Sequence, residues 1–87
     1  MEIIYSSKFA REYKKLPDNI KDIAEENEAI FRENPFSSKL KTHKLKGKLS
    51  GFYSFSIGYK YRIIFDFSKD KKSINFHSVG DHDVYLN

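Results

Sequence analysis

Cysteine is absent from this chain of 87 residues. Neither a disulfide nor a thiolate metal site can hold the fold together, which suits the cytoplasm. No apolar run approaches the ~20 residues that a membrane span needs. Met1-Glu2-Ile3-Ile4-Tyr5 has no basic stretch followed by an apolar one, so it does not read as a signal peptide. Gly47 and Gly51 alone make no phosphate-binding loop. No serine stands in the context of a nucleophile elbow, which argues against a serine hydrolase. His77, Asp81, His82 and Asp83 lie close together, but their spacing matches no established two-histidine metal signature. Repeats, linkers and low-complexity tails are also missing. The expectation is one domain over residues 1–87 with a modest core.

Charge is plentiful and unevenly spread. Residues 1–38 carry 6 Lys/Arg against 8 Asp/Glu, and residues 39–87 carry 10 against 4. That split points to an anionic partner for the second half. A basic surface that only keeps the chain soluble would have the same composition.

Two periodicities divide the sequence. Ile3, Ile4 and Tyr5 read as a short first strand. Ser6 or Ser7 can cap a helix whose apolar face is Phe9, Tyr13 and Leu16, with Ala10 beside it. Pro17 closes that helix, because the residue before proline resists the α region. Asp18 can cap a second helix, on which Ile20, Ile23, Ala24, Asn27, Ile30 and Phe31 repeat up to Asn34-Pro35. Its outer face is acidic (Asp22, Glu25, Glu26, Glu28, Glu33), as solvated faces commonly are. Residues 36–51 hold Lys39, Lys41, His43, Lys44, Lys46 and Lys48 and read as an exposed, mobile, basic loop. The period then becomes two. Tyr53, Phe55 and Ile57 form one strand, Gly58 turns the chain, and Tyr59, Tyr61, Ile63, Phe65 and Phe67 form the next. Residues 68–73 are a polar turn, and Ile74 and Phe76 begin a third strand of an antiparallel meander. The fold class expected is α+β: a helical hairpin on one face of a small antiparallel sheet, in the order β-α-α-β-β-β. Strand parity puts Tyr59, Tyr61, Ile63 and Phe65 toward the helices, and Lys60, Arg62, Ser54 and Ser56 on the open face.

Two places can carry chemistry. Arg62 lies inside an apolar strand, where an unpaired charge is costly. It is either a salt bridge to Asp66 or a helix carboxylate, or a guanidinium fork aimed at a phosphate. Past the last strand, Gly80 permits a sharp turn and Asp81-His82-Asp83-Val84-Tyr85 follows. His82 is suited to general acid or base work, and Tyr85 to donating a proton or stacking on a base. Taken alone, they read as a surface histidine and a cap on the core.

Three segments together resemble a known family. They are Leu45-Lys46-Gly47-Lys48-Leu49-Ser50-Gly51-Phe52-Tyr53-Ser54-Phe55, Tyr59-Lys60-Tyr61-Arg62-Ile63-Ile64-Phe65, and Val79-Gly80-Asp81-His82-Asp83-Val84-Tyr85. In length, order and motif the chain is similar to the RelE/ParE superfamily of bacterial toxins, closest in type to RelE- and YafQ-like mRNA interferases. The resemblance implies a RelE-like fold and the toxin of a type II toxin–antitoxin system. It implies a metal-independent endoribonuclease that cleaves mRNA in the ribosomal A site and so inhibits translation, with no cofactor. The partners it implies are a cognate antitoxin, mRNA and the ribosome, with no membrane and no direct DNA binding by the toxin alone. Arg62 matches the strand arginine that stabilises the scissile phosphate. His82 matches the position two after the terminal glycine, Tyr85 the terminal aromatic, and His43 the loop histidine of YafQ-like toxins. Lys44, Lys46, Lys48 and Lys60 would bind the RNA backbone. Where YafQ-like proteins place a second histidine and an aspartate, this chain has Ser56 and Lys60. The other reading in the same superfamily is a ParE-like poison of DNA gyrase, a binding module with no need of His82 or Tyr85.

Overall fold

The computed structural model describes residues 1–81. The strands are β1 (Glu2–Tyr5), β2 (His43–Lys44), β3 (Tyr53–Ile57), β4 (Tyr61–Phe67) and β5 (Ser73–Gly80), and the helices are α1 (Ser7–Lys14) and α2 (Asp18–Glu33). The sheet order is β1-β5-β4-β3-β2. The meander β3-β4-β5 is antiparallel as expected, and β2 joins its outer edge antiparallel to β3. β1 runs parallel to β5, with Ile3 opposite Ile74, so the five-stranded sheet is mixed.

α1 starts where Ser6 accepts the amide hydrogen of Phe9 at 2.9 Å. This satisfies one of the helix's orphan donors. Pro17, expected only to close α1, is itself the residue that caps α2: its carbonyl accepts from Ile20 and Lys21, both at 3.0 Å. Asp18 makes no side-chain cap bond and instead occupies the first turn, where its charge favours the helix dipole.

The core forms between the helices and one sheet face. Phe31 of α2 is fully buried against one phenylalanine from each central strand. Its ring centroid lies 4.8 Å from Phe55, 4.9 Å from Phe65 and 5.3 Å from Phe76. Asn27, one turn earlier on the same face, donates to the Ser56 carbonyl at 2.8 Å and ties α2 to β3.

Two expectations about the sheet need correction. Tyr59 is fully exposed and does not face the helices. It lies with Lys60 in the three-residue turn from Gly58, so β4 begins only at Tyr61. The segment 36–51 is also more than a loop. It contains the short strand β2 and helical turns at Ser38–Leu40 and Gly47–Leu49, and Leu40 is fully buried in the core. Its period was hidden because single apolar anchors, not a repeat, attach it.

One end of β5 extends beyond β1 and is covered by α1. The Glu12 carboxylate accepts both the Ser78 hydroxyl at 2.8 Å and the Val79 amide hydrogen at 3.1 Å. A helix side chain thus replaces the missing strand partner.

Candidate functional site

The sheet face away from the helix core carries Arg62 and, of the other residues singled out, His43. On it Ser56, Arg62 and Gly80 form one cross-strand row, and Ser54, Ile64 and Ser78 form the next. The Arg62 guanidinium donates to the Ser56 hydroxyl at 2.8 Å. Asp66, the acid expected as an alternative partner, is engaged elsewhere, and among the described residues Arg62 forms no ion pair. Its fork is therefore held in place by a neutral acceptor, the one side-chain hydrogen bond it makes among the described residues, in a geometry that can also meet an anion.

His43 is opposite Ser54 on β2, so it shares this face, two strands away from Arg62. It is exposed, and its Nδ1 lies 3.3 Å from the Lys41 carbonyl, to which it donates in the tautomer protonated there. Lys44 is opposite Tyr53, whose ring packs on Phe65, so parity sends it toward the helix-side face, apart from Arg62. Lys46, which precedes the helical turn Gly47–Leu49, and Lys48 within it are exposed. Lys60 is exposed in the β3–β4 turn, its Nζ 5.6 Å from the Tyr61 ring centre. His82 and Tyr85 lie outside the described residues.

The open face is not the bare cationic surface that parity alone describes. Ser54, Ile64 and Ser78 are buried. The loop between β2 and β3 closes through the Leu45 amide and the Phe52 carbonyl at 2.9 Å, and Leu49 and Phe52 line a cleft with Ile64 and Ser78. The basic loop thus lies against the sheet through its apolar residues and holds its lysines outward.

Sequence reading passed over His77 except as a failed metal ligand. Between the pairs Ile64–Ser78 and Phe65–Phe76, β5 has one extra residue, His77. This bulge resets the parity, so that Val79 enters the core and Ser78 faces the other way. His77 reaches Asp66 on the adjacent strand β4, Nε2 to Oδ1 2.9 Å, and Asp66 also accepts from the Asn75 side chain at 3.0 Å. The signal was present in the spacing Ile74-x-Phe76-x-x-Val79, where a three-residue step interrupts a period of two.

On the helix side, a second groove of about 490 Å³ lies between α1 and α2, with Phe9, Ala10, Tyr13 and Ala24 among its apolar lining and a rim of Glu25, Glu28 and Lys14 that is acidic on balance. Burial first, then the carboxylates of Glu25, Glu28 and Asp22, hold the Tyr13 hydroxyl above its ordinary pKa.

The fold is of the α+β type seen in the RelE/ParE toxins. The resemblance read from the sequence holds at the level of the fold. In particular, the YoeB/ParE toxin from Agrobacterium tumefaciens superposes with a TM-score of 0.79 at 16% identity, covering 94% of this chain and 99% of that one. YafQ from E. coli strain BL21(DE3) gives 0.77 at 17% identity over 99% and 98% of the two chains. The RelB–RelE antitoxin–toxin complex from Methanococcus jannaschii gives 0.73 at 23% identity over 95% and 94%. No family model matches the sequence, and no curated protein matches it.

Proposed function

We propose that this chain is the toxin of a type II toxin–antitoxin pair and acts as an endoribonuclease on mRNA in the ribosomal A site. The observation that carries this reading is Arg62, a guanidinium on the open sheet face, oriented by Ser56 and without an ion pair among the described residues. RNA brings its own nucleophile. The 2′-oxygen loses its proton to a base and attacks the adjacent phosphorus. The bond to the 5′-oxygen breaks, and that oxygen takes a proton from an acid. The products are a 2′,3′-cyclic phosphate and a free 5′-hydroxyl. Arg62 neutralises the charge that builds on the phosphorane oxygens. His82 serves as acid or base, with His43 or Tyr85 as its counterpart, each worth ~10²–10⁴ in rate. Lys46, Lys48 and Lys60, with Lys44 at the sheet edge, attract the backbone without reading sequence.

The antitoxin belongs to the same reading. Several neighbours in fold are toxin–antitoxin complexes. The groove between α1 and α2 offers an apolar floor and an acidic rim, which suit a basic amphipathic segment.

Brief induction of the chain, with growth and mRNA 5′ ends recorded, tests both parts. Cuts within translated mRNA that vanish in His82→Gln are expected. DNA damage without cuts would favour the gyrase-poison reading instead. Ala10→Glu, on the exposed wall of the groove, is expected to leave growth arrest intact while weakening rescue by the neighbouring gene's product. Full rescue would remove the groove from the scheme.

A further inference from the structure

A cleft of about 310 Å³ opens on the same face as Arg62. Its floor is Ile64 and Ser78, one cross-strand row away from Arg62. One wall is the loop residues Leu49 and Phe52, and the start of α1 contributes Lys8 at the opposite side. Ser6 and His77 complete the lining. The His77 ring meets Phe52 edge to face, with centroids 5.0 Å apart and planes at 82°. The Asp66 carboxylate fixes the other side of the ring through Nε2.

We infer that this cleft is a nucleobase-binding subsite, which takes the base of a nucleotide flanking the one cut at Arg62; the assignment rests on the endoribonuclease reading. The volume is at the small end of ligand sites and suits a single flat ring system. Phe52, Leu49 and Ile64 provide apolar surface for a base, and aromatic stacking of this kind is insensitive to sequence. His77 adds a polar edge. With Nε2–H donated to Asp66, Nδ1 is the imidazole's second polar atom and can meet the hydrogen-bonding edge of the base. The ring keeps 39% of its side-chain surface exposed, so the pairing orients it without closing it off. Lys8 forms no ion pair among the described residues and can meet the phosphate of the same nucleotide. Arg62 and Ile64 are alternate residues of β4, about 7 Å apart along the strand. That spacing lets one short stretch of RNA occupy both places. His77 follows the core residue Phe76, so strand parity puts its imidazole on this face, and the bulge places Ser78 there beside it.

The experiment is an NMR titration of the labelled chain with adenosine and cytidine 5′-monophosphates, with ribose 5-phosphate as the control for phosphate alone. Shifts at the His77 imidazole and the Phe52 ring are expected with the nucleotides and not with the sugar phosphate. Phe52→Leu and His77→Asn, each checked for folding by thermal unfolding, should bind roughly tenfold more weakly, the size of one lost base–aromatic contact. Equal shifts with ribose 5-phosphate, no shifts at these rings, or unchanged binding in whichever variants fold would overturn the subsite. Cleavage mapping separates the two levels. If the wild-type chain cuts, both variants should raise KM, and His77→Asn should also alter the preference for the flanking base. If it does not cut, the endoribonuclease reading fails, while the titration still decides whether the cleft binds a base.

Discussion

At the scale of the residue, the guanidinium of Arg62 is the informative group. A strand that is otherwise apolar tolerates a charge only when its donors are engaged or solvated. Ser56 engages one of them, and among the described residues no carboxylate pairs with the charge. Arg62→Lys retains the charge and loses the planar fork. It is expected to reduce cleavage by about 10²-fold or more, the scale of removing one transition-state donor. A far-UV spectrum and growth curves check that the fold survives while arrest is lost. A second residue has a pH signature. The Ser68 hydroxyl, at 2.6 Å, and then the Lys72 amide hold the Asp70 carboxyl below its ordinary pKa. A depressed carboxylate contributes stability above its unfolded pKa, and that contribution is lost as pH falls through the folded one. Asp70→Asn should therefore flatten the acid limb of stability against pH, measured by denaturant unfolding below the usual carboxylate range. An unchanged limb would assign no such role to the turn.

At the scale of the element, β5 is the strand on which most depends. It pairs with β1 and β4, carries the bulge and receives α1 at its far end. Glu12→Ala removes the acceptor from both the Ser78 hydroxyl and the Val79 amide. Losing charged hydrogen bonds of this kind costs about 1.5–3 kcal/mol. Faster hydrogen exchange at Val79, beyond the global loss of stability, is the expected local sign. Protection equal to the wild type would mean that α1 covers the edge without Glu12. Because His77 precedes that segment, the same variant should also disturb the Phe52–His77 contact, visible as a shift of the imidazole resonances.

At the scale of the whole molecule, one side chain joins the layers. Phe31 touches Phe55, Phe65 and Phe76, which come from three different strands. Phe31→Ala is expected to cost about 3–5 kcal/mol. Domains of this size are stable by only about 5–15 kcal/mol. The variant should thus melt far below the wild type, while Phe31→Leu should lose much less. Calorimetry or chemical denaturation checks both. The two faces of the molecule then have separate tasks. The helix side holds the core and the acidic groove, and the other side holds Arg62, His43 and the cleft under the loop.

Sequence by itself determined the elements with strong periods: the two helices, the meander from Tyr53, and the opposite faces of Ile63 and Arg62. Those follow from local geometry, because the helical and strand repeats decide which side chains point together. It also carried the likeness in fold, which the superposition on YafQ bears out at 17% identity. Tertiary structure alone decided that β1 runs parallel beside β5, since strand pairing across 70 residues leaves no local mark. It decided that Leu40, Leu49 and Phe52 bind the lysine-rich segment down, because isolated apolar anchors produce no period. It also decided that Arg62 meets Ser56 on β3 and that Asp66 meets His77 on β5, since the register between strands leaves no mark in the spacing of either one.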